Sequence, residues 1–201
     1  MIDYGYITGI LAQFEGRAIG RGYIPCRHGT WYPEGADKGD IRGQSGVTIA
    51  TGVDLGQQSE KGFAELPSAL LDKLRPYLGL KRGEAKTALI HRPLELSSEE
   101  VKQIDDLIHK RYIDETAVMF GRTIFEGAPK QVQAVAVSLH YQFGTPARKD
   151  SPALEKAWEA LRYGLYRDAA GYLRNHELWS KSHRAYRSRR DREAALLEDA
   201  I

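Results

Sequence analysis

Gly46-Val47-Thr48-Ile49-Ala50-Thr51-Gly52-Val53-Asp54-Leu55-Gly56 is a β-prone strand-and-turn segment flanked by glycines. It places a hydroxyl, Thr48, and a carboxylate, Asp54, six positions apart. The surrounding stretch from Gly16 to about Gln58 has the same texture. Glycine crowds it, Pro25 and Pro33 interrupt it, and short β-prone pieces sit among turn residues. This predicts a small sheet or hairpin region with long loops. On the N-terminal side, Ile2, Tyr6, Ile7, Ile10, Leu11 and Phe14 recur at steps of three and four. They make one apolar face of a helix over residues 2–15 that stops at Gly16, leaving Glu15 at its end.

Beyond about Leu66 the pattern is helical throughout. Ser97-Ser98-Glu99-Glu100 suits a capping box, followed by a stripe through Val101, Ile104, Ile108, Tyr112 and Met119. Val132 to Phe143 is apolar on nearly every face, the signature of a helix buried inside a lobe, and Gly144 ends it. Ser151-Pro152 reads as an N-cap with proline at the first helical position, with Leu154, Trp158 and Leu161 as the buried stripe. A last helix is expected over roughly residues 181–199. Helix, small β region and helical bundle in that order make an α+β chain with its β part at one end. No internal repeat, low-complexity tract or linker is visible.

The chain has 201 residues, 42% hydrophobic and 28% charged, which is ordinary globular usage. Its 29 Lys+Arg against 27 Asp+Glu give a net charge of +2, too near neutral to demand a polyanion. Nucleic-acid binding is therefore not expected. The single cysteine, Cys26, excludes an internal disulfide and suits synthesis in a reducing cytosol. Met1-Ile2-Asp3-Tyr4 shows no secretory n-region, and no stretch approaches a membrane span. Lys181, Arg184, Arg187, Arg189, Arg190 and Arg192 crowd the C-terminal part with Asp191 and Glu193 among them. Arg187–Asp191 and Arg189–Glu193 are helical i,i+4 pairs, so a solvated, salt-bridged face is expected.

Rival chemistries lack their motifs. Cys26-Arg27-His28 offers a lone Cys/His pair without the further ligands of a zinc site, and no His-Glu-x-x-His occurs. Gly20-Arg21-Gly22 begins like a dinucleotide loop, but Pro25 stands where the third glycine belongs. Neither a phosphate loop nor a Gly-x-Ser-x-Gly elbow is present. No metal or cofactor is expected. Two carboxyl groups are what glycosidic cleavage needs: a protonated acid for the leaving oxygen and a base or nucleophile near the anomeric carbon. Glu15 and Asp54 are candidates for the pair.

Three features together carry a family resemblance. A helix ends in Glu15-Gly16, a strand follows with Thr48-Ile49, and the central helix leaves through Tyr141-Gln142-Phe143-Gly144. This resembles the phage lysozymes. The order Glu, Thr, Asp, with Gly52-Val53-Asp54-Leu55-Gly56 after the threonine, is closer to the pesticin-type branch, the bacterial toxin homologues. Trp179 and His183-Arg184-Ala185-Tyr186-Arg187 are similar to a stretch near the end of phage lysozymes, with His183 in place of asparagine.

The resemblance implies an α+β lysozyme-like fold over residues 1–201. It would have a helix-plus-β lobe over about 1–65, a helical lobe over about 66–201, and the active-site cleft between them. It implies a glycoside hydrolase: a muramidase cutting peptidoglycan between N-acetylmuramic acid and N-acetylglucosamine without a metal. Glu15 falls on the general acid, Asp54 on the acid that activates water, and Thr48 on the threonine that holds that water. Gln142, with Tyr141 beside it, falls on the cleft end of the central helix, where substrate binds. Arg184 falls on the arginine that pairs with the catalytic glutamate. Inversion of the anomeric centre is implied, with carboxyl groups roughly 6.5–9.5 Å apart.

The segment between Glu15 and Thr48 is longer than a plain phage lysozyme has. Its Glu34, Asp37 and Asp40 are alternatives to Asp54, and Thr51 is an alternative to Thr48. The implied partner is the bacterial glycan strand, with an immunity or inhibitor protein as a second, and the protein is expected to act as a monomer. Export by a holin, a phage tail or a secretion machine would bring it to the periplasmic or extracellular wall. Endolysin, tail lysozyme and antibacterial toxin or effector all fit. The alternative from another class is a lysozyme-like fold that binds glycan or an inhibitor without cutting.

Overall fold

The computed structural model describes residues 1–144, 152–179 and 186–201. The first helix, α1 (Tyr4–Glu15), buries Ile7, Ile10 and Leu11 of the expected stripe and half-buries Tyr6 and Phe14, while Ile2 precedes it. Asp3 starts it, its side chain accepting from Tyr6 N at 3.0 Å. The glycine-rich stretch forms β1 (Ile19–Cys26), β2 (Gly29–Trp31), β3 (Thr48–Ala50) and β4 (Val53–Asp54). They pair antiparallel in the order β2-β1-β3-β4. The helices that follow are α2 (Ser68–Leu74), α3 (Arg82–His91), α4 (Ser98–Phe120), α5 (Arg122–Gly127), α6 (Lys130–Phe143), α7 (Pro152–Arg162), α8 (Tyr166–Arg174) and α9 (Arg187–Glu198).

The capping box forms as its spacing predicts. Glu100 N donates to Ser97 Oγ at 3.2 Å, and Ser97 N donates to Glu100 Oε2 at 2.8 Å. Among the described residues no helix is long and apolar enough to cross a membrane. The expected N-cap Ser151 and the start of the last expected helix lie outside the described residues.

Two compact units divide the chain. One comprises Met1–Phe14 and Lys110–Ile201, the other Glu15–His109. The first is built on α6, whose Val132, Ala134, Val135, Ala136, Val137 and Leu139 are all buried. They share one core with Ile7 and Leu11 of α1, Phe120, Trp158, Leu173 and Leu197. The texture of the sequence puts a lobe boundary near residue 65, but residues 66–109 group with the sheet. The reason is contact between backbones. Gly22 N donates to Leu94 O at 2.8 Å, and Leu96 N donates to Gly20 O at 2.9 Å, so residues 94–96 extend the pairing of β1. Leu80 O lies against both Gly46 and Gly56, where no Cβ fits.

The basic C-terminal helix differs from its expected role. The Arg189–Glu193 pair exists, at 3.3 Å, but it is buried. Arg190 and Glu193 are 1% and 0% exposed, and Arg190 Nη2 lies 2.8 Å from Glu193 Oε1. Ser138 of α6 donates to the same carboxylate oxygen, and Arg189 Nη2 donates back to Ser138 Oγ at 2.9 Å. The Arg190 guanidinium stands 5.0 Å from the Phe143 ring centroid and 5.5 Å from that of Trp179. This face of α9 is a core element of its unit. Asp191, expected to pair with Arg187, meets His176 Nε2 at 3.1 Å.

Two stability effects follow from these contacts. In Gly46→Ala the new Cβ would lie 2.6 Å from Gly56 Cα and overlap Leu80 O, backbone on both sides. A loss of about 1–3 kcal/mol or more is expected, read as a lowered denaturant midpoint; an unchanged midpoint would show that the segment yields freely. Glu193→Ala leaves two guanidinium groups buried without their carboxylate. A loss of about 3–5 kcal/mol is expected; an effect below about 1 kcal/mol in chemical unfolding would refute the account of this cluster.

Candidate active site

The β3–β4 hairpin sets two of the three candidate side chains against each other. Thr48 is the direct cross-strand partner of Asp54, and Ile49 of Val53. Directly opposed residues share a face, with Cβ atoms about 4.5–5.5 Å apart. The turn between the strands closes through Gly52 N donating to Ile49 O at 3.1 Å. It holds Ala50 at φ 51° and Gly52 at φ 90°. A left-handed alanine costs of order 1 kcal/mol, and glycine takes that region without penalty. The turn brings Gly52 to Glu15: a Cβ on Gly52 would lie 3.9 Å from Glu15 Oε2. Glu15, Thr48 and Asp54 thus all belong to the unit Glu15–His109.

Asp54 is held by backbone. Its Oδ1 accepts from Gly46 N and from Gly56 N, each at 2.9 Å, so one oxygen caps the turn after β4 and ties it to the start of the hairpin. Burial pushes the Asp54 carboxyl above the usual aspartate range. Those two N–H donors, Gln57 and the charge of Lys81 pull in the opposite direction without cancelling it. Thr48 is buried, and its hydroxyl makes a long contact, 3.4 Å, to Gly46 O.

The two threonines differ in what surrounds them. Thr51 Oγ1 donates to Asp105 Oδ1 at 2.7 Å, and Thr51 N donates to the same oxygen at 3.1 Å. His109 Nε2 lies 3.4 Å from Thr51 Oγ1. Burial, the largest influence, pushes the His109 pKa down, against Asp105, Glu15 and Asp106. With the threonine proton directed to Asp105, the Nε2–H tautomer suits this arrangement. The Thr51 hydroxyl serves to anchor the turn to α4, whereas Thr48 faces Asp54.

Glu34, Asp37 and Asp40 lie on the surface. Glu34 is exposed and ion-paired with Arg21. Asp37 is exposed and accepts from Gly39 N at 3.1 Å, and Asp40 is exposed on the same loop. Gln142 and Tyr141 lie in the other unit at the end of α6. Gln142 Oε1 accepts from Arg190, and the Tyr141 ring is 4.7 Å from that of Tyr112. Arg184 lies outside the described residues.

Three residues of this site escaped the sequence reading. Tyr23 is the cross-strand partner of Thr48 on the side away from Asp54. Burial raises its pKa most, and Tyr32, Asp54 and Glu15 add to the rise, so its hydroxyl feels both acids. Alternation of Arg21, Tyr23 and Pro25 with Gly22, Ile24 and Cys26 was the signal available for it in the sequence. Asp105 and His109, four residues apart beside the apolar stripe of α4, were the corresponding signal on that helix. Among the described residues no group of three or more His, Cys, Asp or Glu side chains is arranged to hold a metal.

No curated protein matches the chain. A family model described as "Pesticin: Bacterial toxin homologue of phage lysozyme, C-term" matches residues 2–163. With most of its length matched, including Glu15, Thr48 and Asp54, the chain belongs to this family of bacterial toxin homologues of phage lysozyme.

Proposed function

We propose that the protein is a muramidase that hydrolyses the β-1,4 bond between N-acetylmuramic acid and N-acetylglucosamine in bacterial peptidoglycan. The observation that carries this reading is the cross-strand pairing of Thr48 with Asp54 on a hairpin whose turn lies against Glu15. Glu15 donates its proton to the glycosidic oxygen as the bond to the muramic acid C1 breaks. A water between Thr48 and Asp54 attacks C1 from the opposite face and gives its proton to Asp54. The product keeps a reducing N-acetylmuramic acid end with inverted configuration. Opposed Cβ atoms about 5 Å apart leave room for a water hydrogen-bonded to both side chains. Backbone capping through Oδ1 fixes the carboxylate so that it need not reorganise during the reaction.

The family assignment supports the cell wall as target. The biological setting is lysis, whether by an endolysin, a phage-tail lysozyme or an exported toxin. A transport device, such as a holin, a tail or a secretion machine, would deliver the protein to the wall. An immunity protein is a partner to be expected in the toxin setting.

Digestion of purified Gram-negative peptidoglycan, with products read by mass spectrometry, tests the chemistry. Wild type is expected to release muropeptides with reducing muramic acid ends. Glu15→Gln and Asp54→Ala are each expected to lose about a hundredfold or more. Anhydro-muramic ends would replace hydrolysis by lytic transglycosylation. Full activity in Asp54→Ala would remove that residue from the mechanism. Binding without release by wild type would make the protein a glycan-binding module.

The raised pKa of Asp54 has a consequence for stability. A half-buried carboxyl whose folded pKa is raised takes up its proton more readily in the folded state, so it stabilises the fold as pH falls. That gain starts near the folded pKa and is complete below the unfolded value of about 3.9. Above its folded pKa the wild type carries a half-buried charge there. Asp54→Asn, inactive, is therefore expected to melt at the same or a higher temperature at pH 7, with the advantage gone near pH 3. A lower melting temperature at pH 7 would show that the two N–H bonds to the charged form outweigh its burial.

A further inference from the structure

The row of side chains Asp54, Thr48, Tyr23 crosses β4, β3 and β1 and continues beyond them. In the β1–β2 pairing Ile24 faces Trp31, so one step back along β1 brings Tyr23 opposite Tyr32. The two rings lie 6.3 Å apart between centroids and are tilted by 55°. Adjacent strands are about 4.8 Å apart, which puts Tyr23 about 10 Å and Tyr32 about 14 Å from Asp54 along the row. Both tyrosines are half-buried. Arg21 shares their face two residues before Tyr23, with its guanidinium 4.8 Å from the Tyr32 centroid. Ion pairs to Glu34 and, at 3.3 Å, to Glu95 hold that guanidinium in place. Tyr32 is therefore a clamped ring rather than a loose one.

We propose that Tyr23 and Tyr32 form a stacking platform for the N-acetylhexosamine units of the glycan strand that run on past Asp54. Tyr32 is the specificity-determining residue for strand length. The inference rests on the glycan-cutting reading and extends it by naming where the polymer lies. A pyranose ring turns a face of C–H bonds toward an aromatic ring, and tyrosine pairs an apolar body with a polar tip that meets sugar hydroxyls. A linear polymer is recognised by successive contacts along one direction, and the cross-strand row from Asp54 through Thr48 to Tyr23, with Tyr32 beside it, supplies them. Tyr32 lies in the long segment between Glu15 and Thr48, which gives that segment a purpose: it adds β2, and with it the outer ring of the platform.

Binding of peptide-stripped glycan strands is measured by calorimetry on the full chain carrying Glu15→Gln, so that nothing is cut, in parallel with wall digestion by wild type. Adding Tyr32→Ala is expected to weaken binding of long strands about tenfold and to leave binding of a disaccharide unchanged. Tyr32→Phe keeps the ring and should bind long strands like the parent. Equal binding of long strands by Tyr32→Ala and the parent overturns the platform, as does equal weakening for long strands and disaccharide. If wild type cuts nothing while Tyr32→Ala loses affinity for long strands, the hydrolase reading falls and the platform stands. If the parent binds neither strand length, both fall.

Discussion

The contact on which the sheet unit depends is the approach of three backbone segments at Gly46, Gly56 and Leu80. Two glycines meet face to face there, with the Leu80 carbonyl against both. Asp54 joins the two glycine N–H groups through a single oxygen. This arrangement closes the ends of the β3–β4 hairpin, and the hairpin in turn fixes what stands opposite what. Thr48 faces Asp54 because the register is pinned at the hairpin's base, and a slip of one residue would send Thr48 to the other face. The same carboxylate is thus both a structural cap and the proposed base. Its burial works against the charge that catalysis asks of it, and the N–H donors keep that conflict small.

The turn at the other end of the hairpin is fixed by a second polar contact. Asp105 takes both the N–H and the hydroxyl of Thr51, and so holds a turn that contains a left-handed alanine. Strain of this kind persists only where the surroundings over-determine the backbone. Here they do so within reach of Glu15, since Gly52 leaves the space that a side chain would take from its carboxylate. A hydroxyl spent on anchoring and a hydroxyl facing Asp54 are three residues apart in the chain. Their roles are separated by register rather than by composition.

Local periodicity explains why part of this was legible in the sequence. The apolar stripe of α1, the capping box of α4 and the all-round apolar character of α6 are short-range patterns, and each element stands where its pattern puts it. Glu15 at a helix end and the Thr48–Asp54 spacing were legible for the same reason. What was hidden depended on partners far away in the chain. Grouping of residues 66–109 with the sheet comes from backbone contacts at Leu80, Leu94 and Leu96, which leave no side-chain pattern. Tyr23 was obscured because the β1–β3 register shifts between Ile19 and Tyr23, so counting from Glu15 does not give its partner. On α9 the i,i+4 spacing of Arg189 and Glu193 places them together but does not reveal Ser138 or the rings that cover them.

That buried cluster bears on Gln142, the amide that the family pattern puts at the end of the central helix. Arg190 donates to Gln142 Oε1 and to Glu193 Oε1, while two aromatic rings flank its guanidinium. A long polar side chain at a helix end ordinarily samples several rotamers and loses that freedom when it binds. Gln142 has already lost part of it to a cation that is itself immobilised by a carboxylate. The cost falls on α9, which carries two arginines and a glutamate into an apolar core.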